Sequence, residues 1–219
     1  MPRVPSMKFK SEMLQAYFVC GTQDIGDRDL PAILNEAIAA GITAFQYRDK
    51  GESKLNDEQR YQLGVILRDI CNNAQISFIV DDDVDLANKL NADGVHVGQK
   101  DERITKVVRD ANPDMMIGLS CQTIEQTEIA NEIDRVDYIG AGPIFSTNSK
   151  PDAVAPMGLE LMEDMVNISD VPIVAIGGID NTNLQSLKNN GAVGAAFITL
   201  VTQTDDINRS VKNVLDVFK

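Results

Sequence analysis

The sequence predicts a single closed (β/α)8 barrel of the TIM type, and three observations lead there. Short apolar runs alternate with segments of helical periodicity eight times along the chain. The runs are continuous rather than alternately apolar and polar, as strands buried on both faces must be. The chain has 219 residues and no Pro/Gly/Ser-rich linker, which suits one such barrel near its minimum size, so 1–219 is read as one domain. An open doubly wound sheet is the competing architecture.

The first strand is the run over 14–20, halted at Gly21, and residues 1–12 before it are read as a loose leader. Asp29 caps a helix that has Pro31 in its first turn and runs to Ala40, before Gly41. The second strand covers 43–47, and Asn56 or Asp57 opens a helix through Ile70. Strand three covers 76–80, after which Asp83 caps a short helix over 84–90. Strand four covers 94–97 with a helix over 103–110, and strand five covers 115–119 with a helix over 123–132. Strand six, 136–139, is followed by Gly142 and Pro143, which stop the ladder and turn the backbone; its helix covers 159–166. Strand seven, 172–176, precedes a helix over 183–190, and strand eight, 195–198, precedes the last helix, 205–217. In that helix Ile207, Val211, Val214 and Leu215 share one face at helical spacing.

Charge narrows the partners. With 20 Lys+Arg against 33 Asp+Glu the net charge is −13, so nucleic acid and anionic lipid are repelled and neither is an expected partner. A phosphorylated substrate would be repelled as well, so a phosphate site needs its own local cations. Cys20, Cys71 and Cys121 are an odd, scattered set without a CxxC pair, which suggests a reducing cytoplasm rather than a disulfide scaffold. No apolar run is long enough to span a membrane, and the N-terminal segment lacks the apolar core of a signal peptide.

Chemistry in such barrels gathers where the strands end at their C-terminal side. After strand two, alternation puts Gln46, Arg48 and Lys50 on one side and turns Tyr47 and Asp49 away; a guanidinium and an ammonium on one face can grip a diphosphate. After strand three come Asp81, Asp82 and Asp83, more carboxylates than the cap at Asp83 needs. Asp101 follows strand four, so neighbouring strands offer Asp82 and Asp101 to one mouth, the usual means of holding Mg2+ with waters and phosphate oxygens. His96, the only histidine, lies inside strand four and is read as a satisfied core residue. Ser120 ends strand five and can hydrogen-bond a substrate, whereas Cys121 has no histidine beside it in sequence and is not read as a nucleophile. The loop after strand six carries Ser146, Thr147, Ser149 and Lys150, hydroxyls and a cation suited to a phosphorylated ligand. After strands seven and eight come Gly177, Gly178, Ile198 and Thr199, where such barrels often place a phosphate against backbone N–H groups; Gly-Gly lets backbone come close and Thr199 adds a hydroxyl.

These segments together resemble the thiamine-phosphate synthase family, from about Leu14 to Val201. The matching pieces are Gln46-x-Arg-x-Lys50, the Asp-Asp-Asp-Val-Asp-Leu-Ala run from Asp81, and Ala-Asp-Gly-Val-His-Val-Gly-Gln-x-Asp ending at Asp101. Gly-Leu-Ser120, Gly-Pro-Ile-Phe-x-Thr-x-Ser-Lys150, Gly177-Gly-Ile179 and Ile198-Thr199 complete the set.

The resemblance implies a transferase that joins a hydroxymethylpyrimidine diphosphate to a thiazole phosphate and releases pyrophosphate by a dissociative substitution. On that likeness Gln46, Arg48, Lys50 and Lys150 hold the pyrimidine diphosphate, Asp81 and Ser120 contact the same substrate, and Asp82 and Asp101 bind Mg2+. Thr147, Ser149, Gly178, Ile198 and Thr199 hold the thiazole phosphate, and Arg48, Lys50, Ser120 and Lys150 form the catalytic set. The family also implies a homo-oligomer. Four positions depart from its usual pattern: Asp81 replaces an Asn, Gln122 a His, Ser146 a Pro and Ser149 a Thr. Two other readings are a thiazole tautomerase-like isomerase, which needs a histidine that the loop from Ser120 to Thr123 lacks, and a phosphate-binding protein without turnover.

Overall fold

The computed structural model describes residues 9–51, 53–99, 103–147 and 155–219. Eight parallel strands close on themselves in sequence order: β1 (Ala16–Cys20), β2 (Ala44–Tyr47), β3 (Ser77–Asp81), β4 (Gly94–Val97), β5 (Met116–Cys121), β6 (Tyr138–Ala141), β7 (Ile173–Ile176) and β8 (Gly194–Phe197). The last strand meets the first with Tyr17 beside Ala196 and Phe18 beside Phe197. The expected barrel is therefore the observed one, and the open sheet is excluded. The helices between and after the strands are α1 (Leu30–Ala40), α2 (Asp57–Ala74), α3 (Val84–Leu90), α4 (Ile104–Asp110), α5 (Ile124–Asn131), α6 (Gly158–Ile168), α7 (Leu184–Asn189), α8 (Thr199–Thr202) and α9 (Ile207–Phe218). No helix among the described residues is long and apolar enough to cross a membrane.

The continuous apolar runs are explained by two cores. Outward-facing residues such as Phe18, Phe45, Phe78 and Val80 pack beneath the helices. Four of the rings form a band across neighbouring strands, with centroids 6.4 Å apart for Phe18–Phe197, 5.5 Å for Phe18–Phe45 and 6.3 Å for Phe45–Phe78. Inward-facing Tyr17, Val19, Ala44, Ile79, Met116, Tyr138, Val174 and Ala196 fill the barrel itself, so the interior is packed rather than open. Residues 9–12, which the sequence reading assigned to the leader, take part in this filling: Phe9 stacks on the Tyr138 ring at 6.0 Å, and Ser11–Leu14 form a 3-10 turn that buries Leu14.

At the N-terminal end of the barrel one device recurs. The residue just before an even strand closes an amide of the preceding odd strand with its side chain. Thr43 Oγ1 accepts from Ala16 N at 2.9 Å, Asp93 Oδ2 from Phe78 N at 2.9 Å, and Asp137 Oδ2 from Ile117 N at 2.7 Å. These amides have no partner in the ladder there, and the caps supply one. Burial pushes the Asp93 and Asp137 carboxyls up from the ordinary value, against the opposing pull of those hydrogen bonds.

Several boundaries move. Strand six begins two residues later than expected, at Tyr138, because Asp137 is a cap and not a strand residue. Strands three and five run on to Asp81 and Cys121, which brings Asp81 into register with His96 and Ser120 with Gly140. The four-residue α8 was not anticipated, being too short to show a period. Asn56, Asp83 and Thr123 cap their helices through side-chain oxygens.

Candidate active site

The C-terminal ends of β2 and β3 build a compact charge cluster. Cys20 O accepts from Arg48 N, which carries the run after β2 on alongside β1. Strand alternation then does what it predicts: Gln46 points into the barrel, Tyr47 reaches outward to Arg60 O at 3.3 Å, and Arg48 and Lys50 turn to the mouth. Asp49 faces away and is buried, accepting from Thr22 N at 2.8 Å, Thr22 Oγ1 at 2.6 Å and Ser53 Oγ at 2.6 Å. That bracket clamps the Arg48–Lys50 segment to the loop after β1, and Gln23 Nε2 adds a bond to Arg48 O at 2.7 Å. The sequence reading missed this role for Asp49; the alternation that sent it away from the mouth was the available signal.

Arg48 Nε lies 3.3 Å from Asp81 Oδ2, with both side chains 7% exposed. Neither atom has a hydrogen-bond partner among the described residues, so the charges attract while their bonding capacity stays open. Lys50 Nζ lies 3.2 Å from the same Asp81 oxygen and also pairs with Asp82. Burial disfavours the Lys50 ammonium, but Asp81 and Asp82 outweigh it and the net effect raises its pKa. Asp82 takes φ +60°, in the left-handed region that Asp tolerates better than most residues, and its N–H binds His96 O at 2.8 Å. Asp83 turns away to cap α3 and lies 3.5 Å from Arg60 Nη2.

Across the barrel, Ser120 is half-buried at the end of β5, 2.9 Å from His96 Nε2. His96 Nδ1 is 3.1 Å from the Tyr138 hydroxyl, so both ring nitrogens are engaged, as a satisfied core histidine requires. Gln99 Nε2 donates to Ser120 O at 2.8 Å and steadies the serine's backbone. Cys121 is buried, and that burial pushes its thiol up to about 12, so it is no nucleophile at neutral pH.

The loop after β6 turns at Gly142–Pro143 and then follows β7: Ile144 N binds Ile176 O and Phe145 N binds Gly177 O, both at 3.0 Å. Phe145 and Ser146 are thereby set against the Gly177–Gly178 turn, with half-buried Thr147 next in the chain. Both glycines have positive φ, and a Cβ at Gly178 would meet Ser146 O at 2.5 Å and Phe145 Cβ at 2.7 Å. What a Cβ at these glycines would meet is the β6 loop, a close approach of protein to protein that the sequence did not show. Register sets Ile176 beside Ala196, so the residues beyond them, Gly178 and Ile198, come to the same rim. Ile198 is buried in the barrel interior and Thr199, half-buried, opens α8.

Asp101, Ser149 and Lys150 lie outside the described residues. Among the described residues no three His, Cys, Asp or Glu side chains converge as a metal site. Asp81 and Asp82 do offer oxygen ligands, the donor type a hard divalent cation takes, and in the structure Lys50 occupies both.

Comparison with known proteins gives this geometry a context. A family model described as thiamine monophosphate synthase matches residues 16–201. The thiamine-phosphate synthase of Lactiplantibacillus plantarum is 47% identical over 96% of this chain and 97% of its own length. That of Limosilactobacillus reuteri is 46% identical over 97% of this chain and 100% of its own. Among solved structures, the thiamine phosphate pyrophosphorylase from Pyrococcus furiosus superposes with a TM-score of 0.83 at 29% identity, covering 95% of this chain and 96% of that one.

Proposed function

Because the chain belongs to the thiamine monophosphate synthase family, whose members are transferases, we propose that it joins a hydroxymethylpyrimidine diphosphate to a thiazole phosphate and releases pyrophosphate. The observation that carries this reading is the charge cluster at the mouth. It holds two cations, Arg48 and Lys50, whose only close counter-charges among the described residues are Asp81 and Asp82. Among the described residues these four charges balance, and a diphosphate gains little by approaching a balanced cluster. A divalent cation held at Asp82 would supply positive charge that favours approach of the diphosphate and would relieve Lys50 of one of its two partners.

In this reading Arg48, Lys50 and Lys150 grip the diphosphate and stabilise the charge it gathers on leaving. Arg48 Nε, unbonded among the described residues, is a donor suited to that task. Asp82 and Asp101 would hold Mg2+, whose charge further stabilises the departing diphosphate. Gln46, Asp81 and Ser120 face the pyrimidine. The thiazole phosphate is held at the rim by Thr147, Ser149, Gly178, Ile198 and Thr199, so that its ring nitrogen captures the pyrimidine cation as the diphosphate departs. Water has to be kept from that cation.

A tautomerase reading finds no support, since the only histidine is His96 and its ring is bonded inside the barrel. We assign the chain to the cytoplasm, where its three buried thiols stay reduced, and expect a homo-oligomer from the family. Pyrophosphate release tests the function, assayed with both substrates and with each omitted in turn. Release that needs both substrates fits the proposal; release from the pyrimidine diphosphate alone at the same rate would make the protein a diphosphatase instead.

A further inference from the structure

Beneath the mouth an unbroken series of hydrogen bonds crosses the barrel interior. Gln46 Nε2 donates to the Tyr17 hydroxyl at 2.7 Å, Tyr17 and Tyr138 share a bond of 2.9 Å, Tyr138 meets His96 Nδ1 at 3.1 Å, and His96 Nε2 meets Ser120 Oγ at 2.9 Å. Four of the five side chains are buried, with exposures between 0% and 8%, and Ser120 is half-buried at the end of β5. Glycines make the room: a Cβ at Gly118 would strike the Tyr138 ring and His96 Nδ1, and one at Gly140 would lie 2.9 Å from His96 Cε1. Burial pushes both phenols up in pKa, so each keeps its proton.

The direction of the series follows from counting hydrogens. Tyr17 oxygen accepts from the Gln46 amide, so its own hydrogen goes to Tyr138. Tyr138 oxygen is then occupied, and its hydrogen goes to His96 Nδ1. The imidazole is neutral with its hydrogen on Nε2, which it donates to Ser120 Oγ. With the Gln46 amide nitrogen facing Tyr17, any other direction strands a phenol hydrogen in a dry interior, at a cost of about 1–3 kcal/mol.

We propose that this series is a polarised relay in which Tyr17, Tyr138 and His96 are positioning residues, fixing Ser120 as a hydrogen-bond donor into the mouth according to which way the Gln46 amide faces. The direction of the relay stands on the orientation of the Gln46 amide, whose nitrogen faces Tyr17. That Ser120 donates to the pyrimidine substrate rests on the function proposed above. The relay also joins two residues on opposite sides of one substrate, so a ligand that turned the Gln46 amide over would reverse every bond and withdraw the serine's hydrogen.

A sequence with one histidine allows a direct test. In the ligand-free protein, 15N spectra of histidine-labelled chain at pH 8.5 should show a single imidazole protonated on Nε2; protonation on Nδ1 would overturn the proposal. Gln46→Glu, whose carboxylate only accepts, should move the hydrogen to Nδ1 across the intervening phenols, and an unmoved hydrogen would count against the relay. In Gln46→Glu combined with Tyr138→Phe the series is cut, and the hydrogen should stay on Nε2. Movement in that double variant would mean that the carboxylate acts through its field and not through the relay. A wild-type chain that released no pyrophosphate would fault the functional reading and leave these spectra to judge the relay.

Discussion

Arg48 Nε and Asp81 Oδ2 face each other at 3.3 Å in a nearly buried position, yet neither atom is in a hydrogen bond among the described residues. Two opposite charges so placed attract strongly but remain under-coordinated, a state suited to exchange of partners when an anion arrives. Asp81 stands where the resembling family usually has Asn, so on the proposed function this chain sets a negative charge near the diphosphate.

Removing that charge while keeping the shape is therefore informative. Asp81→Asn should lower KM for the pyrimidine diphosphate by roughly tenfold, about 1.4 kcal/mol of competition relieved. Steady-state kinetics with that substrate varied gives the answer. A raised KM would mean that the carboxylate assists binding, for example by holding a cation.

Asp82 tests the metal assignment. Asn tolerates the same left-handed backbone, φ +60° at this position, so Asp82→Asn should fold normally. It should raise the Mg2+ concentration needed for half-maximal pyrophosphate release by at least about tenfold, through loss of one charged oxygen ligand. An unchanged Mg2+ dependence would remove Asp82 from the metal site.

Gly178 ties the β7 turn to the β6 loop. Gly178→Ala adds a Cβ 2.5 Å from Ser146 O at a backbone φ of +65°, and should destabilise the protein by about 1–3 kcal/mol in urea unfolding. KM for the thiazole phosphate should rise with it, since Thr147 shares that loop. A variant with wild-type stability would show that the two loops separate freely.

The caps beneath the barrel give a pH signature. Burial raises the Asp137 carboxyl above its ordinary value of 3.8. Between that value and the raised one the native state keeps a proton that the unfolded chain has released, so this group's contribution to stability falls as pH rises through the window. Asp137→Asn keeps an acceptor for Ile117 N without the buried charge. The urea midpoint of the variant relative to wild type should therefore improve from pH 3 to pH 7, and a flat difference would deny the raised value.

Much of this was legible in sequence because the governing periods are short. Eight apolar runs at strand length, and the two-residue alternation from Gln46 to Lys50, carried the fold and one wall of the mouth. The Asp83 cap was readable from its neighbours alone. What escaped depends on contacts across strands. Tyr17 and Tyr138 are 121 positions apart, and only closure of the barrel lets their hydroxyls meet. Asp137 read as strand because it sits between apolar residues, and its cap on Ile117 appears only when β5 and β6 pair. The glycines of the β7 turn were read against a ligand alone, and the neighbouring loop pressed on them appears only in the folded chain.

Coupling of the two substrates is measured by following both products of one reaction by chromatography. The purified chain, given the pyrimidine diphosphate, the thiazole phosphate and Mg2+, should form thiamine phosphate and pyrophosphate in equal amounts, and Arg48→Met should lose most of both together. Pyrophosphate without thiamine phosphate, or neither product from a folded chain, would contradict the account.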